Sequence, residues 1–367
     1  MKRLGIYAFY DPDGIADEGD LMYLEAVAAE LDDLVIVVNG ALSEKSRQAF
    51  ENSTDHIILR ENRGFDGGAF REVLLERLPR AIWEDVEELV LFNNTVFGPV
   101  YPLASIFERF SKQPADFWGM TPWHGSELSF PEHVQSYFLV FKKAVFQSVA
   151  FWAFWQSLRM DFTDVSYLIA TYEVQFTPYL VAHGFRYAVL SDENIYTDPL
   201  RVLRDGVPVI KKKTLREHVG IDYETMFRIL EQTNPKIKRA MIAYMERQKV
   251  DWRTARWTNE RILEAVRPYS RIYFYGRLVR SYYVLSKLPD KERFLVESDE
   301  YDHDGEQGGI HLLHLSELPA HAEDDAIMVV FLGKRNTAFV RERLKSIFSH
   351  IIFLCDGMPL DDAQTNM

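Results

Sequence analysis

Residues 56–99, HIILRENRGFDGGAFREVLLERLPRAIWEDVEELVLFNNTVFGP, decide the fold. Two short apolar runs, 56–59 and 88–92, are rich in branched residues and closed by polar or turn residues, the pattern of strands buried in a parallel sheet. Each run delivers a polar loop, RENRGFDGG after the first and Asn93-Asn94-Thr95 after the second. Ligands of open α/β sheets bind outside the carboxyl ends of the strands, so both loops are expected to face one crevice. Gly64, Gly67 and Gly68 would let the backbone approach a ligand, and a helix expected to start near Ala69 would aim its amino end at an anionic group. The alternative is a tight strand-to-helix turn capped by Asp66 with no ligand. Two arginines, an Asp and a second polar loop on the same edge favour the ligand site.

Outward from this stretch, residues 3–10 (RLGIYAFY) read as an amino-terminal strand followed by the polar loop DPDGIADEGD. A helix from about Asp20 carries Leu21, Leu24, Val27, Ala28 and Leu31 on one face. Residues 34–38 form a strand ending in Asn39-Gly40, and a helix near 43–50 leads back to the core stretch. The first hundred residues thus predict β-α-β-α-β-α-β, a doubly wound parallel sheet of the α/β class.

Beyond Pro99 the spacing predicts a helix at 102–110, a short strand or turn at 116–120, a loop over the site at 123–131 and a strand at 134–141. Helices at 143–155 and 165–183 follow, the second stopping at Gly184 as a carboxyl cap, then a strand at 187–190. RVLRDGVPVIKKKTLREH contributes a turn and a strand ending in Lys211-Lys212-Lys213. From Asn234 to Arg267 the chain turns basic, with eight Lys or Arg against three Asp or Glu between Lys236 and Arg261. This helical linker is either a solvated face or a peripheral foothold on anionic lipid. RIYFY at 271–275 opens a second small parallel α/β unit. The expected division is a first domain at 1–220, a helical linker at 221–267 and a small Rossmann-like α/β domain at 268–367.

Composition sets bounds. A net charge of −13 excludes bulk attraction to nucleic acid, so no nucleic-acid partner is expected. The single cysteine, Cys355, excludes an intramolecular disulfide and a cysteine zinc cluster, and its apolar setting predicts an inert thiol. Neither an amino-terminal signal nor a bilayer-length apolar run is visible, so a cytoplasmic protein is expected, at most peripheral on the inner face of the plasma membrane.

The amino-terminal arrangement fits transfer of a sugar from a nucleotide diphosphate. That chemistry needs a nucleotide crevice, donors or a cation for the leaving diphosphate, and a carboxylate base. Asn39 would meet base or ribose, while Arg60, Arg63 and the glycine loop would meet phosphate or sugar hydroxyls. Lys211–Lys213 would be a cationic patch near the diphosphate or an exposed charged strand end. His133, Gln135 and Ser136 open a strand facing the crevice and are candidates for acceptor or sugar contacts, a structural histidine being the alternative.

The blocks IYAFYDPDG, IVVNG, LRENRGFDGGAFRE, LVLFNNTVFGPVYPL, DFWGMT, HVQSYFLVF, YEVQFT and PVIKKK, in this order over roughly residues 3–220, closely resemble the rhamnan synthesis protein F family. The resemblance implies an A-type glycosyltransferase fold, a dTDP-rhamnose-like donor and a glycan or lipid-linked acceptor in cell-surface polysaccharide synthesis. The donor-binding set becomes Tyr7, Asn39, Arg60, Arg63, Gly64, Asp66, Gly67, Gly68, Asn93, Asn94, Lys211 and Lys212. Many A-type enzymes end the fourth strand in Asp-x-Asp, which holds Mg²⁺ or Mn²⁺. Here that position reads Asn93-Asn94-Thr95, so either Asp66 helps hold a cation or lysines replace it, and the metal stays open. By comparison with inverting A-type enzymes, Glu173, ahead of Gly184-Phe185, is the expected general base, with Asp164 second and a surface or cap role the alternative for each.

Two other functions fit less of the sequence. A non-catalytic nucleotide-sugar or glycan-binding scaffold would explain the missing Asp-x-Asp. A dinucleotide-dependent oxidoreductase would need G-x-G-x-x-G in the second unit, where the residues are Gly276, Leu278 and Ser281. That substitution points to a structural or protein-binding unit instead.

Overall fold

The computed structural model describes residues 2–79, 81–124, 131–217, 221–250, 257–276, 279–299, 305–319, 321–332 and 334–356. The central part of the 123–131 loop and Leu278 lie outside them. The chain forms two compact units: Met1–Ile195, Leu200–Lys213 and Phe227–Lys249 make the first, and Tyr196–Pro199, Thr214–Met226 and Val250–Met367 the second. The expected boundaries at 220 and 267 do not coincide with these units. The helix Pro235–Arg247, read as linker, belongs to the first unit and buries Ile237, Ala240, Met241, Tyr244 and Met245.

The first unit is built on strands β1 (Arg3–Phe9), β2 (Asp33–Asn39), β3 (Ile57–Arg60), β4 (Glu88–Asn93), β5 (Phe117–Gly119), β6 (Phe138–Lys142) and β7 (Tyr187–Val189). Their spatial order is β7-β5-β6-β4-β1-β2-β3. The β3-β2-β1-β4 half is parallel, as the alternation with helices α1 (Glu18–Ala28), α2 (Glu44–Glu51) and α3 (Phe65–Glu72) dictates. β6 runs antiparallel between β4 and β5, so the sheet is mixed rather than wholly parallel. β1, β2 and β4 are buried almost end to end because both faces of the sheet are covered.

Several elements differ from their sequence reading. α3 starts at Phe65, not near Ala69, with Gly64 in the left-handed conformation at its N-cap. The strand expected at 134–141 divides into His133–Val134 and β6. The helix expected at 143–155 breaks at Ser148, whose hydroxyl caps Val149–Ser157. Lys211 ends the short strand Ile210–Lys211, which pairs antiparallel with Val96–Phe97, but Lys212 and Lys213 already open the helix Lys212–Glu217.

The second unit is a six-stranded sheet of β8 (Arg271–Tyr275), β9 (Glu292–Glu297), β10 (Glu306–Gln307), β11 (Ile310–His314), β12 (Ala326–Val330) and β13 (Ile351–Phe353). The order is β10-β11-β9-β8-β12-β13, parallel apart from β10. Alternate residues serve opposite faces: Ile272 and Phe274 pack with Ile262, Val284 and Leu285, while Tyr273 and Tyr275 pack with Val340, Leu344 and Phe348. Among the described residues no helix is long and apolar enough to cross a membrane.

Candidate active site

Parallel pairing brings the carboxyl ends of β1 to β4 to one edge of the first unit, and antiparallel β6 brings its amino end there, Phe138 opposite Phe92. Asn93 closes β4 and forms an Asx turn: its Oδ1 accepts from the Thr95 amide at 3.1 Å and the Thr95 hydroxyl at 2.6 Å. That fixes the side-chain amide, whose Nδ2 donates to Asp66 Oδ2 at 2.6 Å. Asp66, in the first turn of α3, also accepts from the Gly67 amide at 2.9 Å. On the other side Lys211 Nζ donates to Thr95 Oγ1 at 2.9 Å and stands 4.3 Å from the centre of the Tyr137 ring. A continuous polar chain therefore runs Lys211–Thr95–Asn93–Asp66.

Glu173 reaches the same cluster from a helix that runs α (Val165–Leu168), π (Ile169–Glu173), then α (Val174–Ala182). Single π turns recur at functional sites because they push a side chain out of helical register. The carboxylate is half-buried, and its charge acts on Asp66 at the start of α3, Lys211, Tyr137 just ahead of β6 and its own neighbour Tyr172. Burial first, and then the Glu173 charge, lift the Asp66 carboxyl to about 6, against the pull of Asn93, the Gly67 amide and Lys211. Burial draws the Lys211 ammonium down to about 8, against the attraction of Glu173 and Asp66. Burial also raises the Tyr137 phenol. Its oxygen lies 2.8 Å from Thr121 Oγ1, and that hydroxyl donates to Gln135 Oε1 at 2.8 Å.

Of the residues singled out in the sequence, Glu173, Asp66, Asn93 and Lys211 converge. The others stand apart from this cluster, most of them engaged with groups of the protein itself. Arg60 pairs with Glu72 at 2.8 Å, donates to Asn39 Oδ1 at 2.5 Å and reaches the Arg63 carbonyl at 2.8 Å. Asn39 in turn donates to the Phe65 carbonyl, so both ends of its amide brace the turn into α3. Arg63 is exposed and pairs with Glu61. Asn94 bonds the Tyr10 amide with Oδ1 and the Tyr10 carbonyl with Nδ2, locking β4 to the end of β1. Tyr7 is fully buried, stacked on Phe92 with ring centres 4.8 Å apart. Lys212 forms a buried ion pair with Asp20 at 2.6 Å; burial opposes its charge, but Asp20 and Asp17 outweigh it and raise the ammonium.

The three glycines stand where the packing leaves no room for a side chain. A Cβ on Gly64 would stand 2.8 Å from Met160 Cβ, on Gly67 2.7 Å from Leu168, and on Gly68 2.3 Å from the Arg63 carbonyl oxygen. At the amino end of α3 the Gly67 amide is met by the helix's own Asp66. His133 is buried, its Nδ1 2.8 Å from the Pro131 carbonyl, and Gln135 is engaged by Thr121. Asp164 caps its helix by accepting from Ser166. Thr95, Thr121 and Tyr137 were not singled out, although Thr95 stands in the quoted polar loop and Tyr137 in HVQSYFLVF.

The donor set does not fit a resident divalent cation. Asn93 and Asn94 are both taken up by protein groups, and the two remaining carboxylates share their surroundings with the Lys211 ammonium. Among the described residues no group of three or more His, Cys, Asp or Glu is arranged to hold a metal.

A sequence model described as rhamnan synthesis protein F matches residues 34–259. An uncharacterized protein, y4gN of Sinorhizobium fredii, is 27% identical over 184 residues, 50% of this chain and 46% of that protein. The chain thus matches about half the length of this curated relative. Among solved structures, glucosyl-3-phosphoglycerate synthase from Mycobacterium tuberculosis with Mn²⁺ and UDP-glucose aligns at 9% identity over 40% of this chain and 58% of that one, with a TM-score of 0.26. A 4-diphosphocytidyl-2C-methyl-D-erythritol synthase from Anaerococcus prevotii aligns at 11% identity over 52% and 90%, with a TM-score of 0.31.

Proposed function

We propose, from the premise that this chain belongs to the rhamnan synthesis protein F family, that it is an inverting glycosyltransferase of the A type. It would move a sugar, rhamnose from a dTDP-rhamnose-like donor, onto a hydroxyl of a glycan or lipid-linked acceptor in cell-surface polysaccharide synthesis. The observation that carries this reading is the convergence of Glu173, Asp66 and Lys211 at the carboxyl edge of the first sheet. Glu173 takes the proton of the acceptor hydroxyl as that oxygen forms its bond to the anomeric carbon. The bond from that carbon to the diphosphate oxygen breaks, and the nucleoside diphosphate departs with its electron pair. Lys211, held by Thr95, supplies positive charge where the leaving group develops negative charge. Asp66, fixed by Asn93, hydrogen-bonds the donor sugar.

Nucleotide release from dTDP-rhamnose and other nucleotide sugars, with and without EDTA, tests the reading. Glu173→Gln is expected to lower turnover by about 10²–10⁴ while the donor-induced rise in melting temperature persists. Retained turnover would sink the assignment of the base. Release that survives EDTA supports lysine in place of a metal; loss would mean a cation enters with the diphosphate.

A second reading, a non-catalytic nucleotide-sugar or glycan-binding scaffold, is favoured by the internal engagement of Arg60, Asn39 and Asn94. Donor stabilisation without nucleotide release under any acceptor would select it. Lipid contact by the basic helix Pro235–Arg247 is a lesser part of the proposal, since Arg247 already pairs with Asp11 and Asp17. Flotation with anionic vesicles measures it.

A further inference from the structure

In the second unit Arg280 is buried, with 8% of its surface exposed. Its Nε donates to Asn259 Oδ1 at 2.8 Å and its Nη2 to the Trp257 carbonyl, both neutral acceptors. Its guanidinium carbon lies 5.7 Å from the centre of the Phe331 ring. Among the described residues no carboxylate pairs with it, and Nη1 donates to no group. Burial draws its pKa down to about 10, with no acidic neighbour among the described residues opposing the shift. Holding a guanidinium out of water without a counter-charge costs several kcal/mol. Two carbonyl oxygens give a poor return for that cost, because a neutral amide could bond them as well.

The place of Arg280 suggests what supplies the missing charge. It is the second residue of the helix Val279–Ser286, which follows β8, and Phe331 directly follows β12, its amide donating to the Tyr275 carbonyl at 2.9 Å. The sheet order leaves β8 toward β9 on one side and β12 on the other, so Arg280 stands at the carboxyl edge where the order reverses. That is where open parallel sheets take their ligands. Gly276 adopts φ +113°, and Ser281 Oγ donates to its carbonyl at 2.6 Å. The Gly276 carbonyl is thus held by Ser281 of the following helix.

We infer that the second unit binds a small phosphate-bearing molecule, a phosphate monoester or diphosphate, through the Arg280 N–H groups that Asn259 and Trp257 leave open. Arginine suits this because its planar fork meets two phosphate oxygens at once. The inference stands apart from the transferase reading, since it concerns only residues of the second unit.

Hydrogen exchange of the full chain, read by mass spectrometry with inorganic phosphate and then inorganic pyrophosphate, tests it. The expected result is several-fold slower exchange in peptides covering 272–286 and 326–332. Arg280→Met should abolish that protection, Arg280→Lys should keep part of it, and any protection around 60–95 in the first unit should persist in both. Unchanged exchange of 272–286 in the wild type at millimolar pyrophosphate would overturn the proposal. So would equal protection in the Met variant. Should Arg280→Met fail to fold, Arg280→Gln carries the same comparison, and the wild-type result alone still decides.

Discussion

At the scale of single residues, the candidate site is defined by two ionisations that bracket neutral pH. Asp66 titrates near 6 and Lys211 near 8, so both are charged only between those values. The pH profile of kcat/KM is expected to be a bell, with an acid limb near 6 and an alkaline limb near 8, and Lys211→Met should remove the alkaline limb. The same shifts act on stability with a definite sign. Asp66 is raised from 3.8, so the folded state binds that proton more tightly, and stability from this group is lost as pH rises from about 4 to 6. Lys211 is lowered from 10.5, so its charge disfavours the folded state up to about 8, a burden relieved between 8 and 10.5. Lys211→Met should therefore hold or raise the melting temperature at pH 7 while turnover falls, a split that thermal melts and assays at one pH would reveal. Lys212, its neighbour, should behave oppositely. Asp20→Asn leaves that ammonium buried without its closest carboxylate and is expected to cost about 3–5 kcal/mol by denaturant titration.

At the scale of elements, the turn from β3 into α3 is a packed joint. Gly68 has no room for a side chain: its Cβ would sit 2.3 Å from the Arg63 carbonyl oxygen, a backbone atom that cannot swing aside. Gly68→Ala is expected to destabilise by about 1–3 kcal/mol or more, measurable as a lower urea midpoint. Gly67→Ala meets the end of the Leu168 side chain instead and should cost less. The Asn94 bridge makes a related demand, because its removal leaves the Tyr10 amide and carbonyl without partners. The sequence displayed this joint as a glycine-rich polar loop, and loop composition alone cannot separate a phosphate cradle from a close chain crossing. The tertiary structure adds the close approach of Met160, Leu168 and Tyr172, about a hundred residues downstream.

At the scale of the whole molecule, the two units interleave along the chain, so a cut at the composition change near 220 is not a cut between them. The helix Pro235–Arg247 places Tyr244 against Phe97, ring centres 5.0 Å apart, and Arg247 against Asp11. Burying an Ile or Met side chain stabilises by about 1.5–3 kcal/mol, and Ile237, Met241 and Met245 are each fully buried. With Tyr244 added, their loss rivals the roughly 5–15 kcal/mol that holds a whole domain together. A fragment of residues 1–220 is expected to lose its cooperative thermal transition, whereas 1–250 keeps it, as circular dichroism would show.

The sequence by itself determined the α/β class, the alternation of the first four strands with helices, and the family. These follow from local hydrophobic period and from blocks kept in order, both of which are properties of neighbours along the chain. It also yielded Asp66 and Asn93 from polar loops that close apolar runs, Lys211 from a lysine run at a strand end, and Glu173 by comparison with inverting A-type enzymes. Only the tertiary structure decided which polar residues converge at one edge of the first sheet. Arg60, Asn39, Asn94 and Lys212 are as polar as the four that converge, yet their partners lie up to 192 residues away and satisfy them inside the fold. Buried polar groups must be paired, and pairing depends on distances that the sheet order creates and that no spacing in the sequence records.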